Sequence, residues 1–225
     1  LLFLISLMVY KTFVINRVKH KEAHPPILVD LMELFDLLRK NSVLGINVLF
    51  TAVNALMLGG FVFLLPAFVS EILNSDGIGL GRVLGATGAG AFLGALVVAW
   101  KGANSYVGYT LLSSNILFGI TVIIFAISQN IWQATIVAFM FGIFNAVHVS
   151  LGVAAIQINV EENIRGRVTG AYELAWSSYP LGGLIIGAIA SVVGLKIAII
   201  IGAFVVVFFT CFVFLYSPRI RNLRL

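Results

Sequence analysis

Six apolar stretches of about 20 residues each restrict the fold of this chain more than any other feature. They are Val43–Val69, Leu80–Trp100, Val107–Ile127, Trp132–Ile156, Thr169–Val193 and Ile197–Tyr216. An apolar helix of about 20 residues spans the hydrocarbon core of a bilayer, whereas barrel strands are shorter and alternate apolar with polar residues. We therefore predict an all-α membrane protein with six transmembrane helices.

The composition supports this prediction. Of the 225 residues, 60% are hydrophobic and 10% are charged, and the mean hydropathy is +1.08. Soluble domains carry about a quarter charged residues, and a chain of this length could not bury so much apolar surface. The single cysteine, Cys211, excludes an internal disulfide and leaves the redox compartment open. No zinc-protease, serine-hydrolase or phosphate-loop motif occurs, so we expect neither enzymatic activity nor a cofactor or metal.

The chain divides into four predicted parts. Residues 1–10 (LLFLISLMVY) lie within a hydrophobic run, so we expect the end of a preceding transmembrane helix and a chain that is part of something longer. Residues 11–42 form a predicted cytoplasmic loop with an amphipathic helix over Leu28–Arg39, either at the membrane surface or as a solvated linker. Residues 43–216 form the six-helix bundle, and residues 217–225 a basic cytoplasmic tail.

Lysine and arginine predict the orientation of the bundle. If residues 11–42 are cytoplasmic and the six spans alternate, twelve of the fourteen basic residues lie inside. Arg82 and Lys196 remain outside. Cytoplasmic loops of membrane proteins carry this excess, so both ends of the six-helix unit are predicted to be cytoplasmic. The same distribution explains the net charge of +5, and a nucleic-acid partner is not needed.

Polar side chains recur on one face of two spans. They are Asn47, Thr51 and Asn54 in the first, and Asn145 and His148 in the fourth. Polar groups within a membrane usually face an interior or a cavity, so these five residues are candidates for a substrate pathway. The alternatives are hydrogen bonds between helices for the asparagines and an ordinary core position for His148.

Glu173 is the one acidic residue inside the predicted spans, which makes it the candidate for proton coupling. The alternative is a position at the membrane interface or in an ion pair. Trp176 and Tyr179 follow on the same span and favour packing over substrate contact. The charged loop before this span, Glu161–Arg167, ends in Arg165-Gly166-Arg167.

Glycines at four-residue spacing predict close helix packing, because small residues let backbones approach in lipid. The candidates are Gly81, Gly85, Gly90 and Gly94 in the second span, and Gly183 and Gly187 in the fifth. The last span is apolar all round, which favours contact with lipid.

Four stretches of the chain carry a resemblance to a known family. They are LMELFDLLRKNSVLG (31–45), FLLPAFVSEIL (63–73), GLGRVLGATGAGAFLGAL (79–96) and QINVEENIRGRVTGAYELAWSSYPLGGLIIGAIASVVGL (157–195). The chain resembles the C-terminal half of major facilitator superfamily transporters, most of all the branch with the enterobactin exporter and macrolide efflux proteins. It departs from the superfamily after the second span, where AWKGANSYVGY lacks the aspartate of the usual acidic-basic loop.

The resemblance implies an alternating-access carrier in the bacterial inner membrane, with a small-molecule substrate and a missing N-terminal half as partners. It places the first and fourth spans beside a central cavity, and the third and sixth on the outside. We expect a proton-driven exporter of lipophilic or siderophore-like compounds. Arg165, Gly166 and Arg167 would form a cytoplasmic gating loop. The alternative is a membrane scaffold or secretion accessory protein on the same fold.

Overall fold

The computed structural model describes residues 42–101, 107–160 and 162–223, all within the compact unit Leu34–Leu225. The helices are α1 (Ser42–Ala67), α2 (Gly77–Lys101), α3 (Val107–Ala126), α4 (Ile131–Asn159), α5 (Glu162–Ser177), α6 (Tyr179–Val193), α7 (Leu195–Tyr216) and α8 (Pro218–Arg221). A π-helical turn, Phe68–Ile72, continues α1. The predicted end of an earlier helix, the amphipathic helix and most of the loop without an aspartate lie outside the described residues.

Six helical segments are long and apolar enough to cross a membrane. They are Leu44–Ile72, Gly77–Trp100, Val107–Ala126, Ile131–Gln157, Ile164–Val193 and Leu195–Tyr216. No strand occurs in these described ranges. The predicted all-α fold with six membrane-spanning helices is therefore confirmed.

Caps displace some helix ends from the ends of the apolar stretches. Helix α2 begins three residues before Leu80, because the Asp76 carboxylate accepts hydrogen bonds from the amides of Ile78 at 3.0 Å and Gly79 at 3.1 Å. Such a side chain satisfies the amides that the first helical turn leaves unpaired. Hydropathy does not detect these bonds, so it set the boundary too late.

The first span is also longer than predicted. It continues to Ile72, where the Leu73 amide donates to the Phe68 carbonyl at 3.2 Å in a π-helical pattern. This extension brings the exposed Glu71 into the span. The prediction that Glu173 is the one acidic residue within a span is therefore wrong. The helical hydrogen bonds continue past the point where the polar residues Ser70 and Glu71 interrupt the apolar sequence.

The helices enclose an aromatic core. Helix α2 packs along α4, α3 packs against α4 and α7, and α1 packs against α5, α6 and α7. The rings of Phe61 and Phe125 meet edge to face with their centroids 5.1 Å apart, and the ring centroids of Phe118 and Phe141 are 4.8 Å apart. A second, smaller cluster surrounds Phe50. The site described below borders both clusters.

Helix α7 is not exposed on all sides, although its sequence is apolar throughout. Residues at intervals of four are buried on one face, namely Ala198, Gly202, Val206 and Thr210. Phe204, Phe208 and Phe212 are exposed on the other face. The sequence concealed this division because lipid and a protein interior are both apolar, so hydropathy does not separate the two faces.

Candidate functional site

The polar face of α1 begins with a hydrogen-bonded cluster. The Asn47 Nδ2 group donates to the backbone oxygen of Gly152 on α4 at 2.9 Å, and Thr51 Oγ1 donates to the Asn47 backbone oxygen at 3.0 Å. Both side chains are buried. A Cβ atom on Gly152 would lie 3.4 Å from Asn47 Oδ1, which is an ordinary van der Waals contact. The geometry favours the interhelical alternative for Asn47.

Tyr172 closes this cluster from α5. Its side chain faces those of Thr51 and Trp176, and the residue is buried. Three helices, α1, α4 and α5, therefore meet around Asn47, Thr51 and Tyr172. The sequence reasoning missed Tyr172. Its spacing of four residues from Trp176, which places both on one helix face, is the signal that could have found it.

Asn54 lies two turns farther along the same face of α1, and its amide is only half satisfied. Its Nδ2 group donates to the Phe50 backbone oxygen at 2.8 Å. A carbonyl oxygen can only accept, so this bond fixes the orientation of the amide. The buried Oδ1 atom has no hydrogen-bond partner among the described residues. Leaving a buried acceptor unpaired costs about 1–3 kcal/mol, so this atom requires an explanation.

His148 on α4 presents a second unsatisfied atom. The residue is 4% exposed, and its ring centroid lies 5.5 Å from that of Phe50. The Nδ1 atom has no hydrogen-bond partner in the part of the chain that the structure describes. Phe50 thus contacts both residues, through its ring to His148 and through its backbone oxygen to Asn54.

Asn54 and His148 line one cavity between α1, α3, α4 and the junction of α5 with α6. Its volume open to the centres of water molecules is about 60 Å³, several times the roughly 10–15 Å³ that one water needs. Asn54 and His148 are nearly fully buried, whereas Asn145, Trp176 and Tyr179 are partly exposed and form the open side. The lining residues are Asn54, Leu58, Phe118, Phe141, Asn145, His148, Trp176 and Tyr179.

A helix break forms one wall of this cavity. The fifth span was predicted as one helix with Pro180 inside it, but the structure divides it at Ser178 into α5 and α6. Pro180 has no amide hydrogen to donate to the Trp176 carbonyl, so the helix cannot continue unbroken. The Ser178 hydroxyl and amide both donate to the Ala175 carbonyl, at 2.6 and 3.3 Å. Non-helical backbone at membrane depth is tolerated where protein or a cavity covers it.

The cavity brings together three of the five residues predicted for a substrate pathway, namely Asn54, Asn145 and His148. Asn47 and Thr51 belong to the hydrogen-bonded cluster instead and do not line it. The aromatic residues Phe118 and Phe141 also line it, and no sequence pattern pointed to them. They lie on different helices, so only the packing brings them to one place.

The other residues of the fifth span occupy different positions. Trp176 and Tyr179, for which packing was favoured, line the cavity with ring centroids 6.1 Å apart. Glu173 is exposed on α5 and is not part of the lining. Its backbone oxygen accepts a hydrogen bond from Ser177 Oγ at 2.8 Å. As a candidate for proton coupling, Glu173 would therefore act outside this cavity.

The segment Arg165-Gly166-Arg167 is helical, so the prediction of a loop there is wrong. Helix α5 begins at Glu162, directly after an extended Val160 and the undescribed residue 161. Charged residues end an apolar stretch without ending a helix, since arginine and glutamate are good helix formers. Gly166 costs about 1 kcal/mol of helix propensity, which the rest of the helix offsets. Arg165 and Arg167 are both exposed on this first part of α5.

The predicted packing glycines fall into two groups. A Cβ atom on Gly90 or Gly94 would overlap the backbone of α4, and one on Gly183 would lie 2.8 Å from the Phe63 ring. These three positions are therefore closely packed in the structure. By contrast, a Cβ atom added to Gly81, Gly85 or Gly187 would meet no atom of the described residues within 4 Å, so these three do not pack inside this bundle.

The sequence reasoning missed one hydrogen bond between α3 and α7. Asn115 Nδ2 donates to Thr210 Oγ1 at 2.8 Å, and both residues have 0% exposure. Thr210 Oγ1 in turn donates to the Val206 carbonyl at 2.6 Å. The sequence signal was the row of small or branched residues at intervals of four along α7, which ends at Thr210.

Comparison with models of protein families shows to which family this chain belongs. Residues 35–223 match the model of the transmembrane secretion effector family, which belongs to the major facilitator superfamily. No curated protein gave a significant match. The matched region covers most of the chain, including every described helix. The chain therefore belongs to the transmembrane secretion effector family, and it is an integral membrane transporter of the major facilitator type.

Proposed function

We propose that this chain is half of a proton-driven exporter that moves small lipophilic or siderophore-like compounds by alternating access. The observation that carries the proposal is the pair of unsatisfied buried atoms, Asn54 Oδ1 and His148 Nδ1, in one cavity beside a helix break. A transporter needs hydrogen-bonding atoms that are unpaired in the empty protein and that pair with the substrate only while it is bound. Discontinuous helices border substrate sites in several transporter folds. On sequence resemblance, we assign the chain to the branch that contains the enterobactin exporter and macrolide efflux proteins.

A missing N-terminal half is the proposed partner. In the most apolar part of the α2 span, and of the span of α5 and α6, 17% of the residues are buried, compared with 56% in α3. The open glycines Gly81, Gly85 and Gly187 lie on those exposed spans. We propose that these surfaces pack against the other half, while lipid covers the exposed face of α7. In this proposal the protein lies in the bacterial inner membrane, with both ends of the bundle in the cytoplasm.

Cellular accumulation tests the function. A bacterium without its own efflux pumps would express this chain together with its N-terminal half and receive labelled macrolides, dyes and siderophores. We expect lower accumulation of one class, and a protonophore should abolish the difference. Unchanged accumulation across the panel, with protein present in the membrane, would contradict efflux.

Glu173→Gln is expected to reduce proton-coupled transport, because glutamine keeps the shape of the side chain and cannot carry a proton. The measurement is proton uptake into vesicles on addition of substrate. Glu71→Gln is the matched control, since Glu71 is also exposed and lies at the far end of another span. Normal coupling in the Glu173 variant would assign Glu173 a structural role.

Neutralising Arg165 and Arg167 together should shift the balance between inward-open and outward-open states. We propose that these exposed cations hold the start of α5 at lipid headgroups or at an acidic neighbour, so their loss removes an electrostatic anchor. Labelling of single cysteines on either side of the membrane measures the balance. An unaltered labelling pattern would refute this role.

A scaffold or secretion accessory protein is the second candidate. None of the eight residues that line the cavity is Asp, Glu, Lys or Arg, so the cavity itself offers no fixed charge for coupling. A scaffold would keep its membrane partners and show no protonophore-sensitive accumulation. The accumulation experiment therefore separates the two functions.

A further inference from the structure

The cavity presents two hydrogen-bonding atoms of different character. Asn54 Oδ1 can only accept, because the Nδ2 group of the same amide already donates to the Phe50 carbonyl at 2.8 Å. His148 Nδ1 accepts or donates according to the tautomer of the ring. Neither atom has a partner in the described ranges. A ligand that satisfies both must donate one hydrogen bond and take part in a second.

The remaining lining sets the shape and charge of such a ligand. The ring centroids of Phe118 and Phe141 are 4.8 Å apart. Trp176 and Tyr179 border the open side of the cavity. Aromatic surfaces of this kind favour a ring or another flat apolar body. No residue with a formal charge at neutral pH lines the cavity if His148 is neutral. A charged ligand would therefore lose its hydration without a counter-ion, which costs far more than a neutral group would lose.

We propose that this cavity is a binding site for the uncharged hydroxyl group of a ring compound. The ligand O–H donates to Asn54 Oδ1, and His148 Nδ1–H donates to the ligand oxygen. The ring lies among Phe118, Phe141 and Trp176, and the rest of a larger substrate extends past the partly exposed Tyr179. This assignment rests on the proposed transport function and narrows its substrates to those with a neutral hydroxyl.

Phenol and its methyl ether, anisole, test the proposal on the unmodified chain. Both have the same ring, but anisole has no hydrogen to donate. The chain in detergent micelles is titrated with each compound while Trp176 fluorescence is followed as the difference from the Trp176→Phe variant. Trp100 and Trp132 are exposed and outside the cavity lining, so they cancel in this difference. We expect saturable binding of phenol and about tenfold weaker binding of anisole.

A variant identifies the acceptor. Asn54→Leu should weaken phenol binding about tenfold, to the level of anisole, and leave anisole binding unchanged. The matched control is Thr121→Val, since Thr121 is a buried polar residue that bonds to its own helix and does not line the cavity. This control should bind both compounds as the parent chain does. If Asn54→Leu does not fold, the comparison of phenol with anisole on the parent chain still shows whether the cavity binds a hydroxyl group.

Two results would overturn the proposal. Equal affinity for phenol and anisole would show an apolar site that does not use Asn54. Absence of saturable binding would show that water alone supplies the missing hydrogen bonds. The exporter proposal can be contradicted independently of the hydroxyl site. If the chain binds phenol but shows no protonophore-sensitive change in accumulation, the exporter proposal is contradicted and the hydroxyl-site proposal stands. If accumulation is protonophore-sensitive but phenol does not bind, the hydroxyl-site proposal is contradicted and the exporter proposal stands.

Discussion

Two asparagines on the same face of α1 have different surroundings. Asn47 donates to the Gly152 carbonyl on α4, and its neighbour Thr51 faces Tyr172 on α5. Asn54, two turns away, donates only to its own helix and leaves a buried oxygen unpaired in a cavity. The residue type is the same, so its role depends on whether a neighbouring helix supplies a partner. One end of the face fastens helices, and the other is available to a ligand.

The two ends of α1 are also held by different forces. Around Asn47 the contact is a hydrogen bond between helices. Beyond Asn54 it is close packing of glycine, where a Cβ atom on Gly182 of α6 would lie 2.5 Å from the Ala55 carbonyl. A Cβ atom on Gly59 would lie 2.9 Å from Tyr179, which lines the cavity. Packing of α1 on α6 therefore positions the helix break that forms the cavity wall.

Gly182→Ala should have the largest effect on stability, a loss of about 1–3 kcal/mol, because the added methyl group forces α6 away from α1. Thermal or denaturant unfolding in detergent, followed by circular dichroism, measures it. Gly187→Ala is the matched control on the same helix, since its added methyl group would meet no atom of the described residues within 4 Å. It should be neutral or gain up to about 1 kcal/mol of helix propensity. Similar stability of the two variants would contradict close packing at Gly182.

Asn47→Leu should have an intermediate effect, a loss of about 0.6 kcal/mol and at most about 1.7 kcal/mol, because these are the average and the maximum for side-chain hydrogen bonds between membrane helices. The leucine removes the donor to Gly152 and leaves the apolar contacts of α1 in place. The same unfolding measurement applies. Stability equal to the parent chain would mean that the bond to Gly152 does not fasten α1 to α4, and Asn47 would return to the candidates for the substrate pathway.

Asn54→Leu should have the smallest effect on stability, within about 0.5 kcal/mol of zero, because it removes an amide whose oxygen has no partner. Transport should nevertheless fall strongly, since the proposed acceptor is lost. Accumulation is measured in cells that express the variant, and unfolding is measured on protein purified from the same cells. A loss of stability as large as that of Asn47→Leu would show that Asn54 is structural, and the contrast between the two ends would disappear.

The sequence predicted the six spans because the bilayer imposes a length of about 20 apolar residues on each. It failed where hydropathy and hydrogen bonding diverge. Helix α5 extends back to Glu162 through Arg165 and Arg167, and the first span extends forward past Glu71 to Ile72. Helical bonds are made by the backbone, which does not distinguish a charged residue from an apolar one. The fifth span was predicted as one helix, although Pro180 is a local signal for the break at Ser178.

The candidate site was predictable only in part. Helical spacing alone placed Asn54 on the polar face of α1, and His148 with Asn145 on that of α4. The sequence could not show that Asn47 finds a partner in Gly152 while Asn54 does not, because that depends on how closely two helices approach. Phe118, Trp176 and Tyr179 joined the site from α3, α5 and the start of α6.

The sequence by itself determined the class of protein, the number of spans and the faces on which polar residues lie. These depend on periodicity and on the cost of polar groups in hydrocarbon, and both are local properties. The tertiary structure decided which buried polar atoms are satisfied, which glycines pack and where the cavity lies. Those properties depend on contacts between residues far apart in the chain, such as Asn47 with Gly152 and Gly182 with Ala55. No single stretch of sequence contains them.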